Sequence, residues 1–299
     1  MVLLSLVVSS AVVGIVVWRA ARHWPAVVAE PQVSSARLAE EVHRRPRLRS
    51  LLARRLDPRE LTGFALTAAL GAVTLSVTGI GLLLAMIHGH TGLARWDLSA
   101  ARFGAEHARR SSTQLLRDVS QLGGTVGVVL IGVTVAAIEY RRLRVLAVVA
   151  YLFVVIGGQF LMSNAVKLLV GRKRPDLLHL TGYSGTSFPS GHATAAAATL
   201  MACAFLIGRR RSSRTKAVLA GCAAGLAAGV AASRVLLGVH WLTDVLAGLL
   251  LGWGWFALCS VAFGGRLLRF GAPASQAESL AEVMPDQEAA PRAASRPGG

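Results

Sequence analysis

Seven long, predominantly apolar stretches dominate this sequence: Val2–Trp18, Leu61–Ile87, Leu122–Ile138, Val145–Lys167, His192–Gly208, Ala217–Leu236 and Trp241–Phe263. About 20 apolar residues in a helix match the thickness of a bilayer's hydrocarbon core. In that medium every backbone N–H and C=O must be satisfied within the protein, which leaves helices and closed barrels as the spanning structures. Barrel strands would alternate polar with apolar residues, and these stretches do not. A soluble domain would break up its apolar residues with polar ones, whereas here 54% of the chain is hydrophobic and only 16% charged. We therefore expect an all-α polytopic membrane helix bundle.

The segments between the spans set the organisation. Residues 1–18 read as an amino-terminal transmembrane helix; with no basic leader and no clear cleavage site it is expected to be retained. Residues 19–60 form a basic cytoplasmic linker holding ten arginines. Within it Leu48, Leu51, Leu52 and Leu56 share one helical face among arginines, a pattern suited to an anionic membrane surface. Residues 61–263 hold the remaining six spans. Residues 264–299 form a cytoplasmic tail, whose Ala-, Pro-, Ser- and Glu-rich part from Gly271 onward has no apolar period and is expected to be disordered. The net charge of +17 reads as the positive-inside bias of membrane proteins rather than as a nucleic-acid footprint, so no nucleic-acid partner is expected. Of 32 basic residues, 22 fall in the linker, the turns at Arg141–Arg144 and Arg209–Lys216, and the tail. That asymmetry puts the amino terminus outside, the carboxyl terminus inside and seven crossings between them, in what is expected to be the plasma membrane.

Smaller features carry less chemistry. Cys203, Cys222 and Cys259 lie inside apolar stretches without metal-ligand spacing and read as packing residues. Gly221, Gly225 and Gly229, and likewise Gly248 and Gly252, repeat every four residues and suit close helix contact. His88 and His90 flank a glycine with no carboxylate or cysteine close by, and read as an interfacial loop rather than a metal pair. Trp18, Trp96 and Trp241 stand at span boundaries and suit interfacial anchoring. The outer segment His88–Gln121 reads as a loop, and Arg172 and Lys173 as solvated basic residues.

Ionisable residues are unfavourable inside a membrane by about 2.5–3.5 kcal/mol each at mid-helix, so their presence points to function. Lys167 ends one span and is followed by Gly171–Pro175. Pro189–His192 opens the next span. Ser233–Asp244 brackets the turn between the last two. The topology brings all three clusters to one outer face. There Lys167, Arg174 and Arg234 supply cations, and a guanidinium matches the oxygens of a phosphate. Ser190, Gly191 and His192 would open a helix whose positive end points at an anion. His240 and Asp244, four residues apart, share a helical face, so the carboxylate can hold one ring nitrogen while the other faces a substrate. His192 adds a second imidazole from a different helix for proton transfer.

The ordered set Lys167-x6-Arg174-Pro175, Pro189-Ser190-Gly191-His192 and Ser233-Arg234-x5-His240-x3-Asp244 resembles the phosphatidic acid phosphatase type 2 (PAP2) superfamily. The likeness covers Leu61 to Phe263, and every motif position matches. It implies a six-helix PAP2-like catalytic core with one additional amino-terminal transmembrane helix. It further implies that His240 is the nucleophile and forms a phosphohistidine, that Asp244 orients it, and that His192 is the general acid and base. Lys167, Arg174, Ser190, Gly191 and Arg234 would bind the phosphoryl oxygens. No cofactor and no metal are implied, and no carboxylate cluster suited to Mg²⁺ is evident in the sequence.

The resemblance points to hydrolysis of a lipid phosphate, either a phosphatidate-like monoester or a polyprenyl diphosphate such as the undecaprenyl carrier. Two other readings stay open at this point. A vanadium haloperoxidase would share the site, because vanadate mimics phosphate, although such relatives are typically soluble. A lipid-binding or transport module on an inactive scaffold would need no chemistry, although scaffolds of that kind usually lack site residues that this chain keeps. Oligomeric state is not legible.

Overall fold

The computed structural model describes residues 1–23, 58–177, 179–209 and 211–267. Most of the linker and the tail beyond Leu267 lie outside the described residues, as does the leucine-bearing face expected between Leu48 and Leu56. Apart from residues 58–64, the described residues form one unit.

Its helices are α1 (Val2–His23), α2 (Pro58–His88), α3 (Asp97–Glu106), α4 (Arg110–Gln121), α5 (Thr125–Leu143), α6 (Ala147–Val170), α7 (Gly191–Gly208), α8 (Ser213–Leu236) and α9 (Leu242–Leu267). A short 3-10 turn, Gly92–Trp96, precedes α3. The fold is an all-α membrane helix bundle. Large apolar side chains face outward: Leu75, Phe153, Leu161 and Leu168 are 69–87% exposed. Gln159, Ser163, Thr194 and Thr199 are buried instead. Apolar groups outside and polar groups inside are what a chain adopts when its solvent is hydrocarbon.

Six described helices are singly long and apolar enough to cross, namely α1, α2, α6, α7, α8 and α9. The expected span Leu122–Ile138 differs. Residues Leu122–Gly124 form a turn, and α5 carries Glu139, Arg141 and Arg142 in its last turns. A seventh span arises only if α4 and α5 count together across their 50° bend.

α7 sits in the middle, packed by α5, α6, α8 and α9. Its Ala193, Ala196, Ala197, Ala198 and Ala202 are wholly buried, and these small side chains let four neighbours approach one axis. Gly248 and Gly252 of α9 face it: a Cβ on Gly248 would stand 2.7 Å from Ser190 O, and one on Gly252 2.5 Å from Thr194 O. The other glycine row meets α1. A Cβ on Gly221 would stand 2.8 Å from Gly14 O, and one on Gly225 2.8 Å from Ser10 O. α1 therefore runs antiparallel along α8, and Val2 and Leu6 reach the cluster of Leu236, Leu237 and Val239 beside the last turn.

The outer segment expected as a loop is largely helical. α4 buries Ser112, Leu116 and Ser120, spaced by four, and keeps Arg110 and Arg117 toward the outside. Leu116 packs into the same cluster as Val2 and Leu236. Arg117 Nε donates to Leu180 O at 2.8 Å, tying α4 to the segment between α6 and α7.

Candidate active site

The three clusters converge as expected. A cavity of about 360 Å³ is lined by Lys167, Arg174, Gly182, Tyr183, Ser184, Gly191, His192, Arg234 and His240. Four of them come from helix ends: Lys167 from the last turn of α6, Gly191 and His192 from the first turn of α7, and Arg234 from the last turn of α8; Arg174, Gly182, Tyr183 and Ser184 come from the segment between α6 and α7. His240 stands in the turn before α9, and Asp244 in the first turn of that helix. Helix ends suit this role because their backbone groups lie outside the helical ladder and can meet polar partners.

His240 is 2% exposed and Asp244 fully buried. Arg174 Nη1 lies 3.1 Å from His240 Nε2. A guanidinium can only donate, so Nε2 carries the lone pair and the ring proton sits on Nδ1. That nitrogen faces Asp244 Oδ2 at 3.5 Å, a separation longer than a formed hydrogen bond, and it has no other partner among the described residues. Burial pushes the His240 pKa down from 6.5 to about 4; Asp244 opposes the drop, while Arg174 and Arg234 add to it. The imidazole is thus neutral and nucleophilic near pH 7.

The cations differ in availability. All five N–H groups of Arg174 are engaged: Nε with Gly185 O, Nη1 with Val239 O and His240 Nε2, Nη2 with Ser184 O and Thr186 O. Arg174 also stacks on Tyr183, 4.8 Å from the ring centroid. Burial lowers its pKa, and Asp244 partly offsets this. In this state it braces the loop and covers the nucleophilic lone pair. Arg234, 4% exposed, donates through Nη1 to Ser120 Oγ at 2.9 Å, and its Nε has no partner among the described residues. Lys167 stands beside the opening of α7, its Nζ 3.5 Å from where a Gly191 Cβ would lie.

Ser190 caps α7 and is fully buried. Its N–H donates to Asp244 O at 3.0 Å, and its Oγ is unpartnered. It does not line the cavity; its visible link is to the backbone of Asp244. The α7 ladder begins with Thr194 N–H donating to Ser190 O at 3.0 Å, so the amides of Gly191, His192 and Ala193 precede it. His192 Nε2 lies 3.6 Å from where a Gly124 Cβ would stand, at the α4–α5 turn.

Sequence reasoning missed a second layer. Arg172, expected in solvent, is held in the fold: its side chain is 16% exposed and pairs with Asp97 at 2.7 Å and Asp244 at 2.5 Å. Burying a guanidinium requires such partners. Ser187 Oγ donates to Asp244 Oδ2, and Thr243 Oγ1 accepts from Arg172 at 2.8 Å. The signal for Ser120 was its spacing from Ser112 and Leu116. Asp97 had none beyond being an acid in a basic outer segment. Among the described residues no three His, Cys, Asp or Glu side chains cluster as a metal site would.

Residues 147–267, which span α6 to α9, match the model of the PAP2 superfamily. The chain is 38% identical over 127 residues to the lipid A 1-phosphatase of Rhizobium etli, covering 39% of this chain and 50% of that protein. It is 36% identical over 121 residues to phosphatidylglycerophosphatase B of Bacillus subtilis, covering 40% and 59%. The chain thus spans about half the length of the curated relatives it matches. The crystal structure of a transmembrane PAP2-type phosphatidylglycerolphosphate phosphatase from Bacillus subtilis superposes with a TM-score of 0.60 at 27% identity, covering 67% of this chain and 98% of that one. Three motifs converge on one cavity, and the helices that carry them match the PAP2 superfamily over residues 147–267, within a fold shared with that solved phosphatase.

Proposed function

We propose that the protein is an integral membrane lipid phosphatase that hydrolyses a phosphomonoester or diphosphate headgroup through a phosphohistidine. The observation that carries this reading is the His240 Nε2 lone pair, held at the wall of a cavity that Lys167, Arg234 and His192 also line. A phosphoryl group entering there meets two cations with free donors and the leading amides of α7. His240 Nε2 attacks phosphorus, and Asp244 stabilises the imidazolium through Nδ1–H. Arg174 must release Nε2 for this attack, and its freed N–H is then aimed at a phosphoryl oxygen. His192 protonates the leaving oxygen, then takes a proton from the water that cleaves the phosphohistidine. Fixed cations supply the electrostatic stabilisation, which supports a metal-independent reaction.

We further read α2 and α5 to α9 as the six-helix core, with α1 as an added span. Basic linker and tail on the cytoplasmic side would put the cavity on the extracytoplasmic face of the plasma membrane. The activities for which the relatives are named, on lipid A and on phosphatidylglycerophosphate, support a substrate whose tail stays in the bilayer. The test is phosphate release by the purified full chain across phosphatidate, phosphatidylglycerophosphate, lipid A and undecaprenyl diphosphate, with chelator present and His240→Ala in parallel. Release by wild type alone supports the reading. Release of equal size by His240→Ala overturns it.

A further inference from the structure

Behind the nucleophile, away from the cavity, three charged side chains form a chain of contacts. Arg172 Nη1 donates to Asp244 Oδ1 at 2.5 Å, and Nη2 donates to Asp97 Oδ2 at 2.7 Å. Asp97, 4% exposed at the first residue of α3, also accepts from Thr243 N–H at 2.9 Å and from Thr243 Oγ1–H at 2.7 Å. The other Asp244 oxygen accepts from Ser187 Oγ and from Trp241 N–H at 3.0 Å. The Arg172 guanidinium lies 5.4 Å from the Trp241 ring centroid.

This arrangement has an electrostatic consequence. Arg172 alone would neutralise Asp244 and weaken its hold on a cationic His240 ring. Asp97 shares the guanidinium and leaves the group with one net negative charge. We propose that Arg172 and Asp97 are positioning residues for the nucleophile: they fix the Asp244 carboxylate and set the charge that His240 experiences through it. The proposal rests on the phosphatase reading for its kinetic consequences, but its charge consequence does not need turnover. The other charged or titratable groups that line the cavity with His240 are Lys167 from α6, Arg174 and Tyr183 from the loop, His192 from α7 and Arg234 from α8; none of them changes in the variants below.

Asp97→Asn takes the net charge behind the ring from one negative to zero, which disfavours imidazolium. Arg172→Gln takes it to two negative, which favours imidazolium. The double variant restores one negative. The experiment uses the full chain in detergent with 15N-labelled histidine, His240 being assigned by its loss in His240→Asn. It reads the His240 titration and, with a short-chain phosphatidate, the acid limb of kcat/KM. We expect shifts on the order of 0.5–1 pH unit, downward for Asp97→Asn and upward for Arg172→Gln. The double variant should return close to wild type, and Arg172→Lys should hold the limb while losing rate. Unshifted titrations, or shifts in one direction for both single variants, overturn the proposal. If Arg172→Gln does not fold, Asp97→Asn and Arg172→Lys decide it between them. A wild type that titrates as expected but releases no phosphate overturns the phosphatase reading and leaves the charge network standing.

Discussion

Ser120→Ala is the sharpest perturbation of the cation set, because Ser120 never touches the cavity. Its hydroxyl is the one hydrogen-bond partner of the Arg234 side chain among the described residues, at 2.9 Å, and the two residues are 2% and 4% exposed. A hydrogen bond to a charged group contributes about 1.5–3 kcal/mol when its loss leaves the charge under-satisfied. If most of that appears in the transition state, where Arg234 must face a phosphoryl group of increasing charge, kcat/KM falls roughly 10- to 100-fold at 1.36 kcal/mol per decade. A general loosening of α4 would also slow the enzyme, so a control on the same helix face is needed. Ser112 is buried two turns earlier and bonds only within its own turn, accepting from Arg109 N–H at 3.0 Å and donating to Arg109 O at 2.9 Å. Ser112→Ala should lower Tm with little kinetic effect, whereas Ser120→Ala should lower kcat/KM well beyond its Tm change, and Ser120→Thr should recover most of it. The assay is initial-rate phosphate release beside thermal unfolding in one detergent. Equal kinetic losses for the two alanine variants, or a wild-type rate in Ser120→Ala, refute the claim that α4 sets the Arg234 pose.

Three further outcomes can be checked. Gly248→Ala puts a methyl 2.7 Å from Ser190 O and 3.0 Å from Ala193 Cβ; it should destabilise the protein by about 1–3 kcal/mol and reduce activity, while Gly157→Ala, with open space around it, should do neither. His192→Ala should impair monoester turnover more than diphosphate turnover, because a departing phosphate has a second pKa of about 6 and needs little help, whereas an alkoxide needs a proton; the ratio of the two rates measures this, and equal losses would remove the leaving-group role. His240, at a folded pKa of about 4 against 6.5, binds a proton in the unfolded chain before it does in the folded one. Its share of stability, about 3 kcal/mol, is therefore present above pH 6.5 and lost as pH falls toward 4; His240→Asn should flatten the Tm profile across that window.

The span pattern and the meeting of the polar clusters at one cavity were legible in the sequence for a shared reason. Spanning helices reveal themselves through unbroken apolar length, and charged residues at their ends are too unfavourable in a membrane to be there by accident. Lys167, Arg174, Gly191, His192, Arg234 and His240 all line one cavity, with Asp244 directly behind His240. Partners that lie outside the spans carry no such signal. Asp97, Ser120 and Arg172 sit in interfacial segments where a polar residue is unremarkable by composition, so their burial follows only from tertiary packing. Arg172 was misjudged on those grounds: beside Lys173 and Arg174 it looks like one more basic loop residue, and only α3, folding back to present Asp97, gives it an interior. The expected span Leu122–Ile138 differs in its start, since the helix there begins at Thr125. Hydropathy extends through Leu122–Gly124, but the glycine pair turns the chain there, where a Gly123 Cβ would stand 2.5 Å from His192 O, and the turn serves the site rather than the crossing.

The two charge layers show how the fold contains the repulsion among the cations that line the cavity. Lys167, Arg174 and Arg234 line one cavity, and like charges in a poorly solvated space repel. The fold contains this in two ways. Arg174 is satisfied by four carbonyl oxygens and the His240 lone pair, so its charge is dispersed into the loop and its donors are already engaged. Asp244 and Asp97 lie behind, where they lower the potential at the imidazole without reaching the cavity and competing for the cations. On the proposed phosphatase reading, a phosphoryl group would enter a space where Lys167 and Arg234 keep donors in reserve. It would relieve the repulsion among the cations, and drawing one Arg174 N–H away from Nε2 would expose the His240 lone pair at the same moment. Binding and activation would then be one event, because the guanidinium that covers the lone pair is the one that an arriving anion attracts.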